Sequence, residues 1–161
     1  MTYAYIESPK IQEIIMSGNS VPELIYKWSE MYCEALRQDY IQYSIRSHNR
    51  SIYLADAGDI ASVRYHEQCI DKLKNGECDY SYEIEKGRKY LKIMMVIDHG
   101  PNRLGASRSV HAFIDKNTGE VYKAASWRGP ARNGVRFDLR LIEERERLYE
   151  CCDWAGGHLY K

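Results

Sequence analysis

Paired cysteines are missing from this sequence as an organising device. Its five cysteines (Cys33, Cys69, Cys78, Cys151 and Cys152) are odd in number and include no C-x-x-C pair. That argues against a disulfide framework and against a zinc ribbon. Adjacent Cys151 and Cys152 could bond only through a strained ring, so all five read as reduced thiols used as small apolar residues. Long apolar runs are also missing, with none approaching the roughly 18–20 residues that cross a bilayer. The start, "MTYAYIESPK", has neither a basic opening nor an apolar core, so no secretory signal is expected. The expectation is a soluble, cytoplasmic protein with no membrane partner. No internal repeat, low-complexity stretch or linker interrupts residues 1–161. One domain is expected, with a mainly helical part at 1–78 and a β-rich part at 79–161.

Catalytic signatures are equally scarce. The five histidines (His48, His66, His99, His111 and His158) form no H-x-x-x-H or H-E-x-x-H pair, so no metal and no cofactor is implied. There is no G-x-S-x-G elbow. "GPNRLGAS" lacks the lysine of a phosphate loop and joins strand to strand. A serine hydrolase would need His111 to reach Ser126 diagonally across a hairpin.

What is present is a folding pattern. "SVPE" at 20–23 reads as a capping box, with Ser20 as N-cap and Pro22 in the first turn. Leu24, Trp28, Met31 and Ala35 then recur at helical spacing, with Leu36 and Tyr40 widening the stripe. A helix is expected over 21–46. A shorter helix or turn is expected at 10–17, ending at Gly18. Ile60, Val63, Ile70 and Leu73 mark another helix over 59–75, closed by Asn75-Gly76. The period then drops to two. Tyr80, Tyr82 and Ile84 alternate, then Leu91, Ile93, Met95 and Ile97, then Val110, Ala112 and Ile114. The turn "KNTG" at 116–119 places 113 opposite 122. "LRLIEERERLYECCDW" closes as a helix capped by Asp138, with Leu141, Ile142, Arg145, Leu148, Tyr149 and Cys152 on one face. The fold class is α+β, with N-terminal helices, a three- to four-stranded antiparallel meander and a C-terminal helix.

Charge is absent only in total. The formal net charge is zero, yet Lys86–Arg140 holds twelve Lys/Arg against four acids. That segment carries +8 and the remainder −8, which suggests an anionic partner or mutual neutralisation across the fold. The basic segment contains "VYKAASWRGPARNGVRF" (121–137), which begins as a strand and then stops obeying strand rules. Arg128, Arg132 and Arg136 recur at spacing four, but Gly129-Pro130 and Asn133-Gly134 oppose a helix. An irregular loop with three guanidinium groups, Lys123, Ser126 and Trp127 suits phosphate or carboxylate contacts. Arg103 and Arg108 extend the candidate binding set from the preceding loop.

These stretches also carry a resemblance. "RSVHAFIDKNTGEVYKAASWRGPARNGVRFDL", the preceding "GRKYLKI" and the closing "DWAGGHLYK" resemble a group of small proteins encoded by bacteriophages and mobile elements of bacteria. That group is similar to type II-A anti-CRISPR proteins. The likeness covers about 88–161, and the N-terminal helices bring no recognisable match. It implies a small non-enzymatic inhibitor of host antiviral defence, with a CRISPR–Cas9 ribonucleoprotein as partner. It would carry the contacts on Lys123, Ser126, Trp127, Arg128, Arg132 and Arg136. The other readings are a nucleic-acid-binding accessory protein for RNA or DNA, and a sponge for a small nucleotide signal.

Overall fold

The computed structural model describes residues 19–101, 105–131 and 133–160. The helix or turn expected at 10–17 lies outside them.

Helix α1 spans Val21–Leu54. It starts where the local sequence dictates: the Ser20 side chain accepts the Glu23 backbone N–H at 3.4 Å, satisfying one orphan donor of the first turn. Its inward stripe is Leu24, Ile25, Trp28, Tyr32 and Leu36. Met31, read into that stripe from its spacing, is instead 55% exposed, because Tyr32 takes the core position beside it. The helix also runs eight residues beyond the expected end at 46, to Leu54. Helix α2, Ile60–Lys74, packs along that extension, where His48 Nδ1 meets His66 Nδ1 at 2.8 Å. Tertiary packing thus carries a polar stretch that has no apolar stripe of its own. Asp59 caps α2 by accepting the Ser62 N–H, and Ile70 and Leu73 are its buried residues. Ile60, read into the same face, is exposed in the first turn.

Among the described residues five strands follow: β1 (Tyr80–Lys86), β2 (Tyr90–Asp98), β3 (Ala106–Asp115), β4 (Glu120–Lys123) and β5 (Phe137–Asp138). They form one antiparallel sheet in chain order. The class is α+β as expected, with one strand more than the three or four read from the alternation. The extra strand is the two-residue β5, whose Phe137 lies opposite Val121. Tyr82, Leu91, Ile93, Ala112, Ile114, Val121 and Phe137 pack against α1 in one core.

Between β2 and β3 the register slips. Ile93 faces Ala112 while Met94 faces Val110, so His111 is the extra residue of a β-bulge. A bulge re-aims side chains. Here it directs His111 to the same side as Ala112, where its Nε2 reaches the Tyr32 hydroxyl of α1 at 3.1 Å.

The β3–β4 turn is fixed by Asp115, whose carboxylate accepts the N–H groups of Asn117 and Thr118 at 2.9 and 3.1 Å. Gly119 closes it with φ +75°, and a Cβ there would stand 3.4 Å from both Ile25 Cγ1 and Arg140 Cγ. Both the backbone sign and the crowding favour glycine. Gly119→Ala is expected to cost more than about 1 kcal/mol, read as a lower urea midpoint at unchanged m-value.

Helix α3 runs Ile142–Cys151, starting later than an Asp138 cap requires. Asp138 belongs to β5, and its carboxylate takes the Arg140 N–H and guanidinium, both at 2.9 Å. The expected inward face does form, with Arg145 and Leu148 buried and the Tyr149 hydroxyl donating to the Trp28 carbonyl at 2.8 Å. A 3-10 turn at Gly157–Leu159 returns the chain to the core through Leu159.

Candidate functional site

Beyond β4 the chain does not become a free loop. Ala124 bridges Pro130, and Ala131 N–H donates to the Lys123 carbonyl at 2.7 Å. The N–H groups of Ala125 and Ser126 both donate to the Gly129 carbonyl, at 3.1 and 3.2 Å. The Ser126 hydroxyl accepts the Arg128 N–H at 3.2 Å. A tight hairpin tip results, with Trp127 and Arg128 at its apex. Trp127 is 51% exposed.

This tip overhangs one face of the sheet. Lys92 of β2 places its ammonium 4.8 Å over the Trp127 ring and 5.9 Å over Phe113. Tyr90 packs edge-on against Phe113 and Tyr122. A cavity of about 310 Å³ opens there, lined by Arg88, Lys89, Lys92 and Arg128 around Tyr90 and Phe113, with Glu85 at one side. Among the described residues no carboxylate lies within ion-pair distance of these four cations.

The other residues singled out in the sequence go elsewhere. Arg136 turns back on its own chain. Its Nε donates to the Leu159 carbonyl at 2.5 Å, Nη1 to that of Gly134 at 2.8 Å, and Nη2 to Asn133 Oδ1 at 2.9 Å. Arg108 pairs with Glu83 across the sheet at 3.0 Å. Arg103 and Arg132 lie outside the described residues. Lys123 lies toward the other face, its Nζ 4.5 Å over the Tyr160 ring. The contribution of β2 was missed by sequence reading. Its one signal was Lys92, a cation on the face opposite Leu91 and Ile93 in an otherwise apolar strand.

Lys123 borders a second cavity, of about 360 Å³, with Ser109, His111, Trp154, Gly156 and Tyr160. Behind it lies a buried hydrogen-bond chain. The Asp153 N–H donates to His158 Nδ1 at 3.0 Å, His158 Nε2 meets the Tyr32 hydroxyl at 2.6 Å, and that hydroxyl meets His111 Nε2 at 3.1 Å. Burial pushes the His111 imidazole down to about 3, helped by neighbouring His158. His158 falls to about 4 through burial, against the pull of Asp153 and Asp39. Both rings are neutral at neutral pH. Burial likewise raises the Cys33 and Cys152 thiols to about 12, which makes them poor nucleophiles. His111 is engaged by Tyr32, whereas Ser126 sits at the exposed tip.

Among the described residues no group of three or more His, Cys, Asp or Glu is placed to hold a metal ion. No described helix is long and apolar enough to cross a membrane. No curated protein and no solved structure matches this chain. A family of unknown function, DUF7717, matches residues 10–161, taking in both long helices as well as the sheet and the closing turn. The chain belongs to that family.

Proposed function

We propose that this protein is a non-enzymatic binding protein that grips the phosphates of a single-stranded nucleic acid on the Trp127–Arg128 face. The observation that carries this reading is the cavity in which four cations surround two aromatic rings without a carboxylate partner among the described residues. Guanidinium groups take phosphate oxygens in bidentate fashion. A half-exposed indole at a hairpin apex offers a stacking platform for an unpaired base, a contact worth about 1–3 kcal/mol. A duplex hides its base faces, so the indole favours a single strand.

The anti-defence reading enters through the same surface. An RNA-guided nuclease of the Cas9 type handles guide RNA and a displaced DNA strand, and a protein that covers those phosphates competes with the effector for them. The neutral total charge suits a localised grip on such a complex better than wholesale coating of nucleic acid.

Fluorescence anisotropy with labelled single-stranded RNA and DNA tests the reading. Three to four phosphate contacts give a log K against log salt slope of about −2 to −3. Lys92→Glu with Arg128→Glu is expected to weaken binding by at least about tenfold, or 1.4 kcal/mol, with an unchanged thermal midpoint. Equal binding by the charge-reversed protein, or binding indifferent to salt, removes the proposal. Target cleavage by a reconstituted Cas9–guide complex, with and without the protein, decides the anti-defence form separately.

A further inference from the structure

The second cavity carries a different inference, independent of the nucleic-acid reading. The hydrogen-bond chain behind it has only one consistent direction. A backbone N–H can only donate, so the contact from Asp153 N makes His158 Nδ1 an acceptor. A neutral His158 then holds its proton on Nε2 and donates to Tyr32. Tyr32 is fully buried, and a buried hydroxyl hydrogen needs an acceptor. That acceptor is His111 Nε2, which leaves the His111 proton on Nδ1. The Nδ1–Cε1 edge faces Gly156, where even an added Cβ would remain 3.7 Å from Cε1. Glycine is favoured there by φ +87°, and His111 and Gly156 both line the cavity.

The cavity therefore presents a preset N–H donor on its floor. Beside it stand Lys123, Ser109, Trp154 and Tyr160, and among the described residues no carboxylate lines the cavity. Its volume of about 360 Å³ suits a small organic ligand. We propose that this cavity binds a small planar molecule bearing one oxyanion, carboxylate or phosphate. The oxyanion rests on Lys123, an acceptor atom takes the His111 Nδ1–H, and the flat part lies against Trp154 and Tyr160.

The groups around His111 and His158 are Tyr32 and Asp39 of α1, Tyr82 of β1, and Asp153 of the closing turn. Burial outweighs Asp153 at His111, and Asp153 and Asp39 at His158, so the donor persists across the range in which an ordinary histidine charges.

Long-range proton–nitrogen spectra of the full protein labelled with ¹⁵N-histidine test this directly. The expected result is His111 as the Nδ1–H tautomer and His158 as Nε2–H, both constant from about pH 8 to about pH 5. Millimolar uridine 5′-monophosphate or indole-3-acetate is then expected to move the His111 Nδ1 resonance. The probe that moves it at lower concentration identifies the oxyanion. Lys123→Glu should weaken that response at least tenfold while both tautomers stay as they are, which shows that the fold survives. Arg128→Glu, on the opposite face, should leave the response unchanged. An Nε2–H tautomer at His111, its protonation within that pH range, or an unmoved resonance with both probes overturns the proposal.

Discussion

Lowering the pH from about 7 to about 5 is expected to remove about 3 kcal/mol of folding stability. This loss comes from His111 and His158. In the unfolded chain each ring has the ordinary pKa near 6.5. In the fold, burial holds His111 down to about 3 and His158 to about 4. The folded state thus favours the neutral rings, and its advantage is complete above the unfolded value. As pH falls through 6.5 the unfolded chain takes up protons that the folded chain refuses, so stability drops until the folded values are reached. By pH 5 that is about 1.5 units for each ring, or about 2 kcal/mol. His158 is only partly buried and contributes less, which brings the pair to about 3 kcal/mol. Urea unfolding at the two pH values measures it. His111→Gln is expected to remove more than half of the pH-dependent loss. An equally stable protein at both pH values shows that the rings are not held neutral. Should the variant not fold, the wild-type histidine titrations decide the same question.

That buried chain was not readable in the sequence, and the reason is geometric. Tyr32, His111 and His158 stand on α1, a bulged strand and a closing turn. Only the slip between Ile93 and Met94 brings His111 inward. Local signals are legible in the sequence. Ser20 and Glu23 placed the start of α1, and the turn at 116–119 placed Phe113 opposite Tyr122. Where a distant partner intervened it slipped. Asp138 looks like a helix cap until its neighbour Phe137 pairs with Val121 and draws it into a strand. Arg136 looks like a free cation until the turn at 157–159 presents the Leu159 carbonyl. The tip residues Trp127 and Arg128 were singled out from the sequence. Their company of Arg88, Lys89 and Lys92 depends on sheet order, which the alternation of single strands does not contain.

One inward residue was legible, and it leads to the second large effect. The spacing of α3 places Arg145 on its apolar face, an odd position for a cation. In the fold Arg145 is 7% exposed and its guanidinium lies 4.1 Å over the ring of buried Trp28. Its Nη1 donates to the Leu139 carbonyl at 2.7 Å. Burial works against the charge and lowers the pKa of this guanidinium, so the charge itself is a cost that ring and carbonyl offset. Arg145→Ala removes the stacking and leaves the Leu139 carbonyl buried without that donor. The expected loss is about 3 kcal/mol. Arg145→Met keeps the volume over Trp28 and sheds the charge penalty, so it should cost about 1–2 kcal/mol. Urea midpoints at constant m-value separate the two. Equal costs for Ala and Met would mean that packing over the indole contributes nothing. A neutral Ala variant would mean that the guanidinium does not join β5 to α1 at all. The distinction reaches the proposed nucleic-acid face. Leu139 directly follows β5, and β5 receives the chain returning from the Trp127–Arg128 tip. A destabilised Arg145→Ala protein should therefore loosen that tip and weaken the proposed strand binding even though none of the proposed phosphate-contacting residues is changed.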